Sequence, residues 1–309
     1  MTPTLPIRRC LQALVLAAAT CFLLGAQSAP GGANAAPSFP EDPLAARSRP
    51  PLPPGQNPHG MRIYLRAGLK SHAPGKHDYP QFLADWSKLL TERGAVVDGS
   101  FHSPTAAELE HTDVVVIYKG DAGYLTDREK IDLEAFVRRG GGLVAFHDAI
   151  CGPDPAYFAN LVGGAKKHGE TNFTLEAEVP YTIVDRGHPI MQGLTNFTLK
   201  VDEAFYTMTW ATNAKINVLA TAVMAATPTA IRSGHAGEVV PQIWTYEHTL
   251  PGGTAPARAF VWMQGHEYVN FADPSIQPML LRGIAWAAGK PANELVDYRP
   301  PARPGRQGR

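Results

Sequence analysis

Apolar and polar residues alternate with two different periods between Met61 and Ala149. MRIYLRA (61–67) reads as a strand. YPQFLADWSKLLTERG (79–94) places apolar residues at helical spacing and ends in glycine, a common helix stop. AVVDGS is a short strand, and DVVVIYK (113–119) is the unbroken apolar run expected of a strand buried on both faces. Thr126 with Glu129 three residues on makes a capping box for a helix running to Arg139, and Gly140, Gly141 and Gly142 stop it. LVAFHDA (143–149) is the next strand. This β-α-β-α order predicts a parallel, doubly wound α/β sheet. The second half is richer in strands: TLEAEV (174–179), INVLATAV (216–223), PQIWTYEHT (241–249) and ARAFVWMQG (257–265). PSIQPMLLRGIAWAAG (274–289) closes the pattern as a helix with one apolar stripe.

The ends are patterned differently. Arg8 and Arg9 precede an apolar run from Leu11 to Ala26, and Ala33-Asn34-Ala35 follows as an A-x-A site, so residues 1–35 read as a secretory signal peptide. The run is short for a membrane span, and no stable span is expected after cleavage. An uncleaved anchor is the alternative, and the Arg pair is compatible with either Sec or twin-arginine export. Residues 36–60 hold eight prolines and read as an extended linker. The folded domain is expected over 61–297, and 298–309 as a disordered basic tail. The expected location is periplasmic or secreted.

Composition changes this picture little. The 309 residues are 44% hydrophobic and 18% charged, with formal net charge zero. Cleavage after Ala35 would remove two arginines and no acids, giving 26 − 28 = −2. Nothing points to a nucleic-acid partner. Cleavage also removes Cys10 and Cys21, and Cys151 alone cannot form an internal disulfide.

Candidate chemistry collects at strand ends, where open parallel sheets bind ligands. His147 and Asp148 end one strand; Lys119 and Asp121, in YKGDAG, end the preceding one. The plainer readings are a buried, hydrogen-bonded histidine and a solvated turn. Cys151 invites a nucleophile reading, but the strand-end position belongs to His147, and an inert cysteine is the alternative. KKHGETNF offers His168, VDEAFY offers Asp202, Glu203 and Tyr206, and MQGHEYVNF offers His266 and Glu267. His188, in GHPI, reads as a turn residue. No two histidines have a fixed metal spacing, so a divalent metal is compatible with the pattern but not specified by it. No dinucleotide fingerprint or P-loop is present in the sequence, so no nucleotide cofactor is expected.

The succession GGGLVAFHDA, LVGG-x-x-x-HG, DRGHPIMQGLTNFTLKVDEAFY, RAFVWMQGHEYVNF and GIAWAAGK resembles the ThuA-like (trehalose utilisation) family over about residues 61–291. The resemblance implies a flavodoxin-like, class I glutamine amidotransferase-like three-layer sandwich with a mainly parallel sheet. It also implies work on sugars or their keto derivatives. His147 would stand where amidotransferases of this fold carry a cysteine nucleophile, Glu203 and Tyr206 in a D-E-x-x-Y element, His266 in a G-H element, and His168 in the K-H-G element of a subgroup.

The expected function is therefore an exported enzyme acting on a small carbohydrate or keto-sugar by acid–base or metal-assisted chemistry: isomerisation, elimination or hydrolysis. His147, Glu203 and His266 are its expected catalytic groups. Lys119, Asp121, Asp148, His168, Tyr206 and Glu267 are its expected substrate contacts. A cysteine hydrolase or amidase using Cys151 is one alternative. A non-catalytic sugar-binding domain using Trp210, Trp244, Trp262 and Tyr268 is another. A homo-oligomer is compatible with the sequence.

Overall fold

The computed structural model describes residues 53–57, 60–168, 173–212 and 214–300. The expected signal peptide, most of the Pro-rich linker and residues 301–309 lie outside the described residues.

Five parallel strands form one half of a nine-stranded sheet: β1 (Arg62–Ala67), β2 (Val96–Ser100), β3 (Val114–Tyr118), β4 (Gly142–Phe146) and β12 (Ala257–Trp262). Four more continue it as an antiparallel meander: β7 (Phe173–Ile183), β8 (Phe197–Phe205), β10 (Ile216–Val223) and β11 (Val239–His248). The order is β2-β1-β3-β4-β12-β11-β10-β7-β8, and only β11 and β7 oppose the other seven strands. Helices α1 (Tyr79–Glu92) and α6 (Ile276–Ala287) cover one face. Helices α2 (Ala106–Glu110), α3 (Asp127–Arg138) and α4 (Pro155–Val162) cover the other, giving three layers. A short helix α5 (Pro228–Ser233) packs on β7.

The twofold alternation of a strand divides the core cleanly. Val114, Val116 and Tyr118 of β3, Val144 and Phe146 of β4, and Phe260 and Trp262 of β12 face α1 and α6. Val115, Ile117, Leu143, Ala145, Ala259 and Val261 face α2, α3 and α4. Each of these side chains is buried, and full burial of a Val, Leu or Phe contributes roughly 1.5–3 kcal/mol. Thr126 caps α3 through the expected box with Glu129.

Two elements depart from the sequence expectation. The strand expected over 143–149 stops at Phe146, because His147 takes φ +54° and opens a 3₁₀ turn through Ile150. Val201 to Phe205 of VDEAFY close strand β8, although Lys200, Asp202 and Glu203 interrupt its apolar pattern. A second small sheet joins β5 (Cys151–Gly152), β6 (Gly164–Lys167) and β9 (Thr209–Trp210) beside the carboxyl end of β4. The end of the Pro-rich segment meets the domain, with the Gly55 N–H donating to Asp113 Oδ1 at 2.9 Å. Among the described residues no helix is long and apolar enough to cross a membrane.

Helix α6 approaches β12 so closely at Gly283 that a Cβ there would lie 2.2 Å from the Phe260 ring. Alanine is ordinarily better than glycine in a helix by about 1 kcal/mol. Here Gly283→Ala is expected to destabilise by about 1–3 kcal/mol, because the buried ring must be displaced. A higher urea midpoint for the variant would contradict this packing.

Candidate metal centre

Four sheet elements deliver side chains to one point at the carboxyl edge. His147 follows β4 directly, His266 follows β12, His77 lies in the loop between β1 and α1, and Glu203 stands near the end of β8. Two of the loops are fastened to each other. The His77 N–H donates to His266 O at 3.0 Å, the Tyr268 N–H donates to Gly75 O at 2.8 Å, and Lys76 and Glu267 form an antiparallel bridge between them. Asp202 fixes the His266 loop to β8. Its fully buried carboxylate accepts from the N–H groups of Gly265 (3.1 Å), His266 (3.1 Å) and Glu203 (2.7 Å) and from Asn270 Nδ2 (2.6 Å).

The three imidazoles converge. His77 Nε2 lies 2.8 Å from His147 Nε2 and 3.0 Å from His266 Nδ1, and all three rings are buried. His147 Nδ1 is 3.3 Å from Met263 O, a pure acceptor, so Nδ1 carries the proton and Nε2 presents its lone pair inward. One proton on His77 Nε2 can serve only one of its two neighbours. A single cation satisfies all three nitrogens. Donor atoms on perpendicular bonds near 2.1 Å stand about 3.0 Å apart, and a tetrahedral pair about 3.4 Å, so the observed separations fit. Glu203 adds a carboxylate, with Oε1 3.4 Å from His266 Nδ1 and Oε2 3.8 Å from His147 Nε2.

Burial sets the protonation of this group. It lowers His77 to about 2, aided by neighbouring His147, and lowers His147 and His266 to about 4, so all three are neutral at neutral pH. It raises Glu203 to about 8, aided by the charge of Asp148. Asp148 goes the other way. Burial alone would raise it, but the neighbouring imidazole of His147 and the Lys166 ammonium, 2.9 Å from Oδ1, hold its carboxyl well below the usual range. For Cys151, burial and the Asp148 charge push the thiol well above its ordinary value.

Of the residues expected from sequence, His147, Glu203 and His266 are brought together, with Asp148 beside them. Glu267 stands at the rim, 3.4 Å from Lys76 Nζ. The others lie apart from the cluster. His168 is exposed and pairs with Asp121 at 2.7 Å. Lys119 Nζ donates to its own loop carbonyls Gly120 O (2.7 Å) and Asp121 O (3.3 Å). Tyr206 stacks on His235 and accepts from Ser233 Oγ, beside the end of α5. His77 and Lys166 were not legible as site residues, although SHAPGKHDYP follows the first strand and so occupies a ligand-binding edge. Glu176, at the rim on β7, pairs with Lys76, whose ammonium already serves both rim carboxylates.

Fold and site together define a flavodoxin-like α/β sandwich that carries a histidine cluster at the carboxyl edge of its sheet. The family profile described as ThuA, trehalose utilisation, matches residues 70–287. The chain belongs to the ThuA family. Similar solved structures include a ThuA-like protein from Parabacteroides merdae ATCC 43184 (20% identity, 75% of this chain and 91% of that one, TM-score 0.58). Another is a ThuA-like protein from Bacteroides uniformis ATCC 8492 (18% identity, 78% and 97%, TM-score 0.55). At these identities the likeness is one of fold. No curated protein matches.

The titrations predict how stability varies with pH. The folded histidines lie below the unfolded value of about 6.5, so they lower stability as pH falls from about 6.5 towards 4. Glu203 is raised, so its contribution is lost as pH rises from its unfolded value through about 8. Metal-free protein is therefore expected to lose melting temperature between about pH 6.5 and 8.5, and Glu203→Gln to remove most of that slope. A flat wild-type profile would show Glu203 already ionised.

Proposed function

We propose that this ThuA-family chain is an exported, metal-assisted enzyme that acts on a carbohydrate at the carbon beside a keto group, by isomerisation or elimination. The supporting observation is the convergence of three neutral imidazoles, with His77 within hydrogen-bond distance of both His147 and His266 and the Glu203 carboxylate alongside. His77, His147 and His266 would hold a divalent cation, with Glu203 as its carboxylate ligand. When bound, the cation supplies Lewis-acid polarisation of a sugar carbonyl. The chain's own part is to keep the three imidazoles neutral, to exclude water by burial, and to keep Asp148 ionised at the edge of the cluster. The carbohydrate assignment rests on the family.

The cysteine-hydrolase alternative is weaker, because a nucleophile needs a lowered thiol pKa and Cys151 is pushed up. The sugar-binding alternative loses two of its four aromatics: Trp244 and Trp262 are fully buried and spend their N–H groups on Val162 O and Tyr181 Oη. Export rests on Arg8, Arg9 and the apolar run after them, and N-terminal sequencing of the exported chain is expected to begin at Ala36.

Two measurements test the reading. Zn²⁺ titrated into chelator-treated protein is expected to bind one equivalent, and His77→Ala to weaken it by about 100-fold or more. Equal binding by both proteins would remove the metal. Deuterium incorporation from D₂O into a panel of keto-sugars, followed by NMR, is expected to fall by about 100-fold or more in His147→Ala and Glu203→Gln. Wild-type rates in both variants would defeat the enzymatic assignment.

A further inference from the structure

Lys166 is a charged side chain only 5% exposed, in a site that already holds two carboxylates. Its place is set by backbone. Strands β5 and β6 pair so that Lys166 is the register partner of Cys151, and the 3₁₀ turn His147–Ile150 leads from the histidine ligand into β5. The ammonium lies 3.7 Å above the Phe205 ring, which in turn lies 5.4 Å from the His147 ring. From there Lys166 Nζ reaches Asp148 Oδ1 at 2.9 Å, and Cys151 Sγ donates to the same oxygen at 3.4 Å. One oxygen of Asp148 is thus anchored by two donors. The other, Oδ2, faces the cluster but stops 3.9 Å from both His77 Nε2 and His147 Nε2. That is too long for a hydrogen bond.

We infer that Lys166 is a positioning residue that withholds Asp148 from the metal, keeping one coordination position open for a substrate oxygen. The inference rests on the metal reading proposed above and deepens it. Three imidazoles and Glu203 already supply the four ligands of a tetrahedral shell, and a second carboxylate would fill the added position through which such a site could take a substrate. Cancelling its charge and tethering one oxygen prevents that. The arrangement would suit a substrate with a hydroxyl next to a carbonyl: His77, His147, His266 and Glu203 would hold the cation that polarises the carbonyl, and Asp148 would face the neighbouring hydroxyl or C–H.

The test is Zn²⁺ affinity by calorimetry on the full chain in four forms: wild type, Lys166→Met, Asp148→Asn and the double variant. Lys166→Met is expected to bind Zn²⁺ about tenfold tighter or more, since Asp148 is released to ligate. Asp148→Asn alone is expected to stay within a few-fold of wild type, and the double variant to lose the gain. The visible spectrum of Co²⁺-loaded protein should change in Lys166→Met and return towards wild type in the double variant. If Lys166→Met leaves a buried carboxylate unpaired and fails to fold, Lys166→Gln and the neutral double variant carry the same comparison. Unchanged or weaker Zn²⁺ binding in Lys166→Met or Lys166→Gln, or a large loss in Asp148→Asn alone, overturns the inference and leaves the metal reading intact. Absence of Zn²⁺ binding in wild type overturns both.

Discussion

The loop of His266 and the end of β8 are held together by the buried carboxyl group of Asp202. The carboxylate is fully buried and accepts four N–H donors, three from backbone and one from Asn270. Such a group tolerates burial only because its acceptor capacity is used. Burial still pushes its carboxyl up to about 7, against the pull of those donors. Two of the donors belong to Gly265 and His266, beyond β12, and one to Glu203, on β8. These strands are not neighbours in the sheet, and Asp202 joins the loop of one to the end of the other. Leaving those donors unpaired would cost about 1–3 kcal/mol each where they are buried. The same loss would loosen a histidine and a carboxylate of the cluster together.

A second fastening holds strained backbone in place. Among the described residues four non-glycines have left-handed φ: His77 (47°), Asp121 (56°), His147 (54°) and Glu176 (28°). Two carry cluster imidazoles, and each such conformation costs about 1–3 kcal/mol unless its surroundings enforce it. For His77 the enforcement is the pairing of residues 75–77 with 266–268. For His147 it is the β4 strand before it and the ring's own bond to Met263 O. Strain therefore gathers where side chains must be aimed, and not in the core, where alternation alone suffices.

This division explains what the sequence disclosed. The helices and the parallel strands announce themselves because each buries residues in a regular period, and the family resemblance rests on motifs at the ends of those strands. His147, His266 and Glu203 were legible for that reason: two follow strands directly and one lies within a motif. His77 was not, because it sits ten residues beyond β1 and reaches the site only through pairing with a loop almost 190 residues away. Lys166 was hidden for the opposite reason. It stands in KKHG beside an exposed histidine, and only the pairing of two very short strands turns it inward. Tyr206 misleads for a related cause: it follows β8, but its ring joins α5 while Phe205, one residue earlier, faces His147.

The strand-end elbow also explains how His147 is presented to the site. A residue at φ +54° immediately after a buried central strand is lifted over the sheet edge whatever its side chain. A cysteine there must act at short range and needs a neighbour that stabilises its thiolate. An imidazole reaches further, and with Nδ1 bonded to a backbone carbonyl it offers a single lone pair in a fixed direction. The nearest thiol, Cys151, lies past the elbow, buried and turned towards a carboxylate, where every neighbouring charge but Lys166 opposes ionisation. The elbow thus supports ligation as readily as nucleophilic attack, and the choice falls to the groups around it. Here those groups are two further imidazoles and the buried carboxylate of Glu203.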